Sequence, residues 1–242
     1  MTEAVSTKQE TLQLPISISI GASAETEVDS IVFVLDSIRE KGKTPVSYVL
    51  PPEIPQDILD KSRIADSNYR TELDDWITWH FNPDAYKPAI SLIQSLWQPV
   101  ETEYFKVISV IKGLHVPNGV QGDVVLYGVG GGYYPAKNKF SIWTDGNQEN
   151  PKFKRANPIH TVGHEIIELS LSPLVKALEL PHWQKERVID LLMTQSPLAN
   201  LFPEYRQQDN GDRKVDTLFS WELAKEDIQL MLRQIKGSDI VQ

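Results

Sequence analysis

One stretch constrains this chain more than any other: Asn157 to Pro173, which reads NPIHTVGHEIIELSLSP. Asn157 is a helix-capping residue type, and Pro158 suits the first helical position. His160, His164 and Glu168 follow at intervals of four. At about 100° per residue they drift only about 40° per step, so they form one stripe along a helix. Ile159, Val162, Ile166 and Leu169 recur at the 3-4-3 spacing of a core-facing side. One side of the helix therefore packs inward while the other presents imidazole and carboxylate, donors that suit a borderline-soft cation such as zinc. The competing reading is a solvated helix face whose His and Glu make ordinary i,i+4 pairs.

The rest of the composition narrows the chemistry. With no cysteine among 242 residues, there is no disulfide framework and no thiolate, so any metal must be held by His, Asp and Glu. A net charge of -9 argues against nucleic acid or an anionic membrane as a partner. No apolar run approaches the roughly 20 residues of a membrane helix. Met1 to Leu12 is polar and lacks an apolar signal core, so residues 1–12 are expected as a flexible tail, with the cytosol as the default location. Residues 13–242 are expected as a single α+β domain, with an N-terminal subdomain over 13–100 as a further division.

In chain order, Pro15 to Ala22 alternates like a strand. Glu27 to Lys41 has helical periodicity, although its Ile31–Leu35 run also reads as a buried strand. Val46 to Leu50 reads as a short strand before the breakers Pro51, Pro52 and Pro55. Leu73 to Phe81 suggests a helix, and Ala85 to Glu101 a longer amphipathic one after Asn82-Pro83-Asp84. Phe105 to Ile111, Val124 to Tyr127 and Lys139 to Thr144 are predicted as strands. A glycine-rich run, Gly128 to Pro135, separates the last two. It lacks the trailing Lys-Ser/Thr of a phosphate loop and the strand-to-helix context of a dinucleotide site. After a polar loop, Asp145 to Ala156, come the His/Glu helix and a second helix, His182 to Thr194. A long loop follows over 195–217, then a final helix, Trp221 to Ile235. His80 and His115 lie outside the motif region and receive no role.

The run His164-Glu165-Ile166-Ile167-Glu168 resembles the His-Glu-x-x-His signature of zincin metallopeptidases, with glutamate in place of the second histidine. Glutamate is a legitimate zinc ligand. Glu168 followed by Ser172-Pro173 is also similar to a His-Glu-x-x-Glu…Asp-Pro pattern of some secreted and plant phosphate-induced proteins, with Ser172 where that pattern has Asp. The likeness covers about residues 122–195. It implies a zincin-like sheet, active-site helix and second acid-bearing helix, and one Zn2+ per chain held by His164, Glu168 and a ligand from the next helix, as in the gluzincin branch. In HWQKERVIDLL, His182, Glu186 and Asp190 repeat the four-residue spacing. Glu186 is then the third ligand, and Asp190 the partner that orients a histidine. Glu165, about 100° around the helix from His164, becomes the base that deprotonates water. Tyr133, Tyr134 and His182 are candidate donors to the developing oxyanion. The segment from Leu126 to Tyr134 becomes the cleft rim, where an extended peptide or protein substrate adds as a strand.

Alternatives stay open at this point. His160 pairs with His164 as His-x-x-x-His, although Thr161 rather than Glu follows it. A set of one histidine and two carboxylates is more anionic than usual and should acidify water less, implying slow catalysis or a metal other than zinc. A zincin-like scaffold without catalysis is the second reading, and a carboxylate-rich di-metal site on the two stripes is the third. Oligomeric state has no signal in the sequence.

Overall fold

A computed structural model describes residues 17–41, 48–128, 130–144, 157–209 and 211–238. The fold is α+β, with eight helices and one small mixed sheet among the described residues. The tail expected over 1–12 and the loop Asp145 to Ala156 lie outside them.

Strand β1 (Ser19–Gly21) leads into α1 (Ala24–Lys41). The Ser23 hydroxyl accepts from the Thr26 N–H at the helix start, and Glu25 and Glu27 sit in the first turn, where the helix dipole favours them. The Ile31–Leu35 run is thus helical. Helices α2 (Gln56–Arg63) and α3 (Tyr69–His80) pack on α1 around Val28, Ile31, Leu35, Leu73 and Ile77, a cluster distinct from the main core. The α2 helix was not foreseen within the mixed region after Pro55. The strand expected from Val46 to Leu50 reduces, in its described part, to a single bridge between Val49 and Gly128. Gly128 is required there: its φ is +118°, and a Cβ would lie 1.9 Å from the Ser30 hydroxyl.

Helix α4 (Lys87–Ser109) corrects one expectation. Phe105 to Ile111 is not a strand: α4 runs through Pro99 to Ser109. Ala89, Ile93, Trp97, Tyr104, Phe105 and Ile108 form one continuous buried stripe. The β-branched run FKVISVI carries local strand preference, but burial along that stripe decides the outcome.

The sheet has the order β1-β2-β4-β3, with β2 (Gln121–Val125), β3 (Gly131–Tyr134) and β4 (Lys139–Trp143). β1, β2 and β4 run parallel; β3, from the glycine-rich run, lies antiparallel to β4 at the edge. Helix α5 (Pro158–Leu178) packs on β3 and β4, and α6 (His182–Gln195) packs on α5. The segment after α6 is not a featureless loop, since it holds 3-10 turns at Pro197–Asn200 and Arg213–Thr217. The single final helix is in fact two, α7 (Trp221–Glu226) and α8 (Ile228–Gly237). Asp227 breaks the run with extended backbone and caps α8 through the Leu230 N–H. The main core gathers Tyr104, Phe105, Phe140, Ile166, Ile167 and Phe202, all fully buried. No described helix is long and apolar enough to cross a membrane.

Candidate metal centre

Asn157 caps α5 as its sequence implies: its side chain accepts from the Ile159 N–H, and Pro158 opens the first turn. The helix is buried on nearly all sides from Pro158 to Leu171. The polar stripe is therefore not a solvated face. His164, Glu165 and Glu168 are 8%, 5% and 5% exposed, and buried charges of this kind need partners.

The partners come from α6, where every residue from Gln184 to Met193 is buried. His164 Nε2 lies 3.2 Å from Glu186 Oε2 and 3.9 Å from Glu168 Oε2. One donor atom each from His164, Glu168 and Glu186 falls within 4.8 Å of the others. Glu186 Oε2 also accepts from the Gln208 side chain at 2.6 Å. Burial alone would raise the Glu186 carboxyl, but His164 and Lys185 beside it bring it down to about 2.

Proton counting fixes the histidine. The Tyr205 hydroxyl donates to Asp190 Oδ1 at 2.8 Å and lies 2.8 Å from His164 Nδ1. Its one proton goes to Asp190, so Nδ1–H must donate to the tyrosine oxygen. With Nδ1–H so engaged, Nε2 faces two carboxylates, whose charge a proton or a metal cation at that nitrogen would offset. Asp190, also bonded by the Gln208 N–H at 2.8 Å, thus orients His164 through Tyr205 and not directly.

Glu165 lies against the sheet edge. A Cβ on Gly131 would come within 2.2 Å of its Oε1. Glu165 Oε2 is buried with no hydrogen-bond partner. Burial first, then Glu168 and Glu186 nearby, hold its carboxyl well above the usual carboxylate range. His160 stands apart from the three-donor group: its ring packs edge-on to Phe202 at 5.8 Å and tilted to Tyr205 at 5.7 Å. Burial lowers its basicity. His182 is largely exposed, with Nδ1 3.5 Å from Glu186 Oε1. Tyr133 faces the centre, with its ring 4.9 Å and its hydroxyl 3.5 Å from Lys185 Nζ. Tyr134, on the opposite face of β3, places its ring 5.9 Å from Lys137 Nζ.

Lys185, Tyr205 and Gln208 are the residues that sequence reading missed as members of the site. Lys185 has no assigned role in the sequence reading of HWQKERVIDLL. It is 4% exposed, bonds Glu168 Oε1 at very short range and lies 2.9 Å from Glu186 Oε1. Arg187 turns away to Asp216, at 2.5 and 2.7 Å. Nothing in a periodicity marks a lysine as facing inward when the residues on either side of it are also buried.

The centre lines a cleft of about 880 Å³. One wall is the β3 edge from Gly131 to Tyr134, and another is α1 through Asp29, Val32 and Phe33. The described part of the predicted rim thus contributes its β3 portion. The donor set suits a divalent cation: an imidazole nitrogen oriented from behind and two carboxylate oxygens that need a countercharge. Comparisons with protein-family models, with curated proteins and with solved structures return no match.

Proposed function

We propose that the chain is a metal-dependent peptidase of zincin-like design, with one Zn2+ held by His164, Glu168 and Glu186. The observation that carries this reading is the convergence of three donor atoms, from two helices, within 4.8 Å of one another in a cleft beside an unpaired strand edge. Bound zinc would supply Lewis acidity, polarising a carbonyl and making water acidic enough to lose a proton near neutral pH.

The chain's own residues do the rest. β3 pairs only with β4 among the described strands, so its outer edge can accept an extended peptide as a further strand. Glu165 carries a buried oxygen without a hydrogen-bond partner and stands one residue after His164; with a cation offsetting Glu168 and Glu186, its ionised carboxylate would be suited to take a proton from water and return it to the leaving amine. Tyr133 is the better placed of the tyrosines to donate to an oxyanion, because it faces Lys185 and the carboxylates. His182, being exposed at the cleft, can reach substrate.

A specific observation favours a second reading. Lys185 already bonds both Glu168 and Glu186, and a lysine with a protonated His164 would satisfy the carboxylates in a zincin-like scaffold without metal. Elemental analysis of wild type, His164→Ala and Glu165→Gln separates the two. The peptidase reading expects about one zinc per chain, lost in His164→Ala and kept in Glu165→Gln, with a peptidase rate 10²–10⁴-fold lower in the latter. Absence of metal in wild type after zinc is added back would leave the ionic scaffold as the account of this site.

A further inference from the structure

We propose that Lys185 is a built-in countercharge of the metal centre, compensating for the glutamate that stands where the related signature has its second histidine. The inference rests on the metal-dependent reading above and concerns how the site is tuned.

The geometry divides the carboxylate oxygens. Lys185 Nζ takes Oε1 of Glu168 and Oε1 of Glu186. His164 Nε2 faces Oε2 of each, at 3.9 and 3.2 Å. The lysine therefore approaches a different oxygen of each carboxylate from the one nearest the histidine. Its ammonium is held there from a third side by the face of Tyr133, 4.9 Å from the ring centroid.

Charge makes this arrangement matter. Two neutral histidines and one carboxylate, a common catalytic zinc set, carry one negative charge. His164, Glu168 and Glu186 carry two, which would quench more of the cation's charge. Lys185 returns the total to one. The second carboxylate and the lysine thus work as a unit, and the open position keeps its attraction for anions. A lysine that competed for the metal would predict the opposite: its removal would strengthen anion binding or leave it unchanged.

The test uses the full chain loaded with Co2+, whose visible spectrum reports both metal and added ligands. Azide and imidazole are titrated into wild type, Lys185→Met, Lys185→Gln and Lys185→Arg. The proposal expects both neutral variants to hold cobalt at least as tightly as wild type, yet to bind azide roughly tenfold more weakly. Tenfold is the effect of losing one charge about 4 Å away at an effective dielectric of about 60, between the value of about 20 near a protein surface and that of bulk water, as suits a site open to a water-filled cleft. Binding of imidazole, which is uncharged, should change by less than about threefold, and Lys185→Arg should stay near wild type. Equal or tighter azide binding in the neutral variants would overturn the proposal. So would loss of cobalt from them, because the lysine would then serve only to hold the ligands in place. If Lys185→Met does not fold, Lys185→Gln, which keeps a hydrogen-bond donor without the charge, carries the same comparison. Failure of wild type itself to bind cobalt or zinc would instead defeat the metal-dependent reading, a result visible before any variant is made.

Discussion

Tyr205 has a role out of proportion to its place in a segment without regular structure. It converts Asp190, a buried carboxylate on α6, into an orienting group for a histidine on α5, with 2.8 Å on each side of one hydroxyl. Burial and the neighbouring Asp190 push that hydroxyl far from ionising, so it stays a donor to Asp190 and an acceptor from His164. Tyr205→Phe removes both bonds while keeping the ring that packs on His160 and His164. The imidazole is then free to rotate or change tautomer. Loss of such an orienting partner typically costs 10–100-fold in metal affinity, and the same loss is expected here in zinc or cobalt titration. A destabilisation of about 1–3 kcal/mol should accompany it, because Asp190 Oδ1 loses its donor in a buried setting. An unchanged metal affinity would show that packing alone holds the ring.

Strand β3 and helix α5 come into close contact at Gly131. Gly131 leaves room for Glu165: a Cβ there would stand 2.2 Å from Oε1 and 2.7 Å from the Thr161 methyl. Gly131→Ala should therefore push Glu165 away from the strand edge or open the sheet–helix contact, costing about 1–3 kcal/mol by overpacking. On the proposed peptidase reading, metal content should survive, since Glu165 and Thr161 rather than the three donors lie nearest a Cβ at Gly131, while peptidase rate falls more than tenfold. Urea unfolding beside elemental analysis separates the two effects, and a Gly131→Ala protein as stable and active as wild type would refute this contact. The same junction shows what the sequence could and could not convey. The cap, the stripe and the buried side of α5 were legible because they depend on neighbours three and four residues apart. Glu186 was legible as a candidate because α6 repeats that spacing. Lys185 and Tyr205 were not, because their parts in the site depend on how α5, α6 and the segment after α6 are placed together. FKVISVI misled for a related reason: a short apolar run fits a strand or a buried helix, and only the continued stripe of α4 decides between them.

At the scale of the whole molecule, the question is how the α1–α3 cluster is joined to the sheet, since α1 forms one wall of the cleft. Glu27 is a main link. It is 1% exposed, and its carboxyl accepts from the Tyr86 hydroxyl at 2.7 Å and from the Leu126 and Tyr127 N–H groups at 3.1 and 2.8 Å. Burial raises this carboxyl from an ordinary 4.5 to about 7, although the three donors pull the other way. The sign follows directly. Between those values the folded chain keeps a proton that the unfolded chain has released, so the stabilising contribution is full below pH 4.5 and declines as pH rises through 7. At 1.36 kcal/mol per pH unit, this amounts to about 2–3 kcal/mol between pH 5 and pH 8, a large share of a typical folding free energy of about 5–15 kcal/mol. Glu27→Gln cannot ionise and removes that dependence. Urea unfolding at pH 5, 6, 7 and 8 should show the stability of wild type relative to Glu27→Gln falling by about 2–3 kcal/mol toward pH 8. A relative stability that stays flat or rises with pH would mean the three hydrogen bonds outweigh burial and keep the carboxylate ionised. The α1 wall would then be joined to the β2–β3 connection by a charged link at every working pH, instead of one that weakens toward alkaline pH.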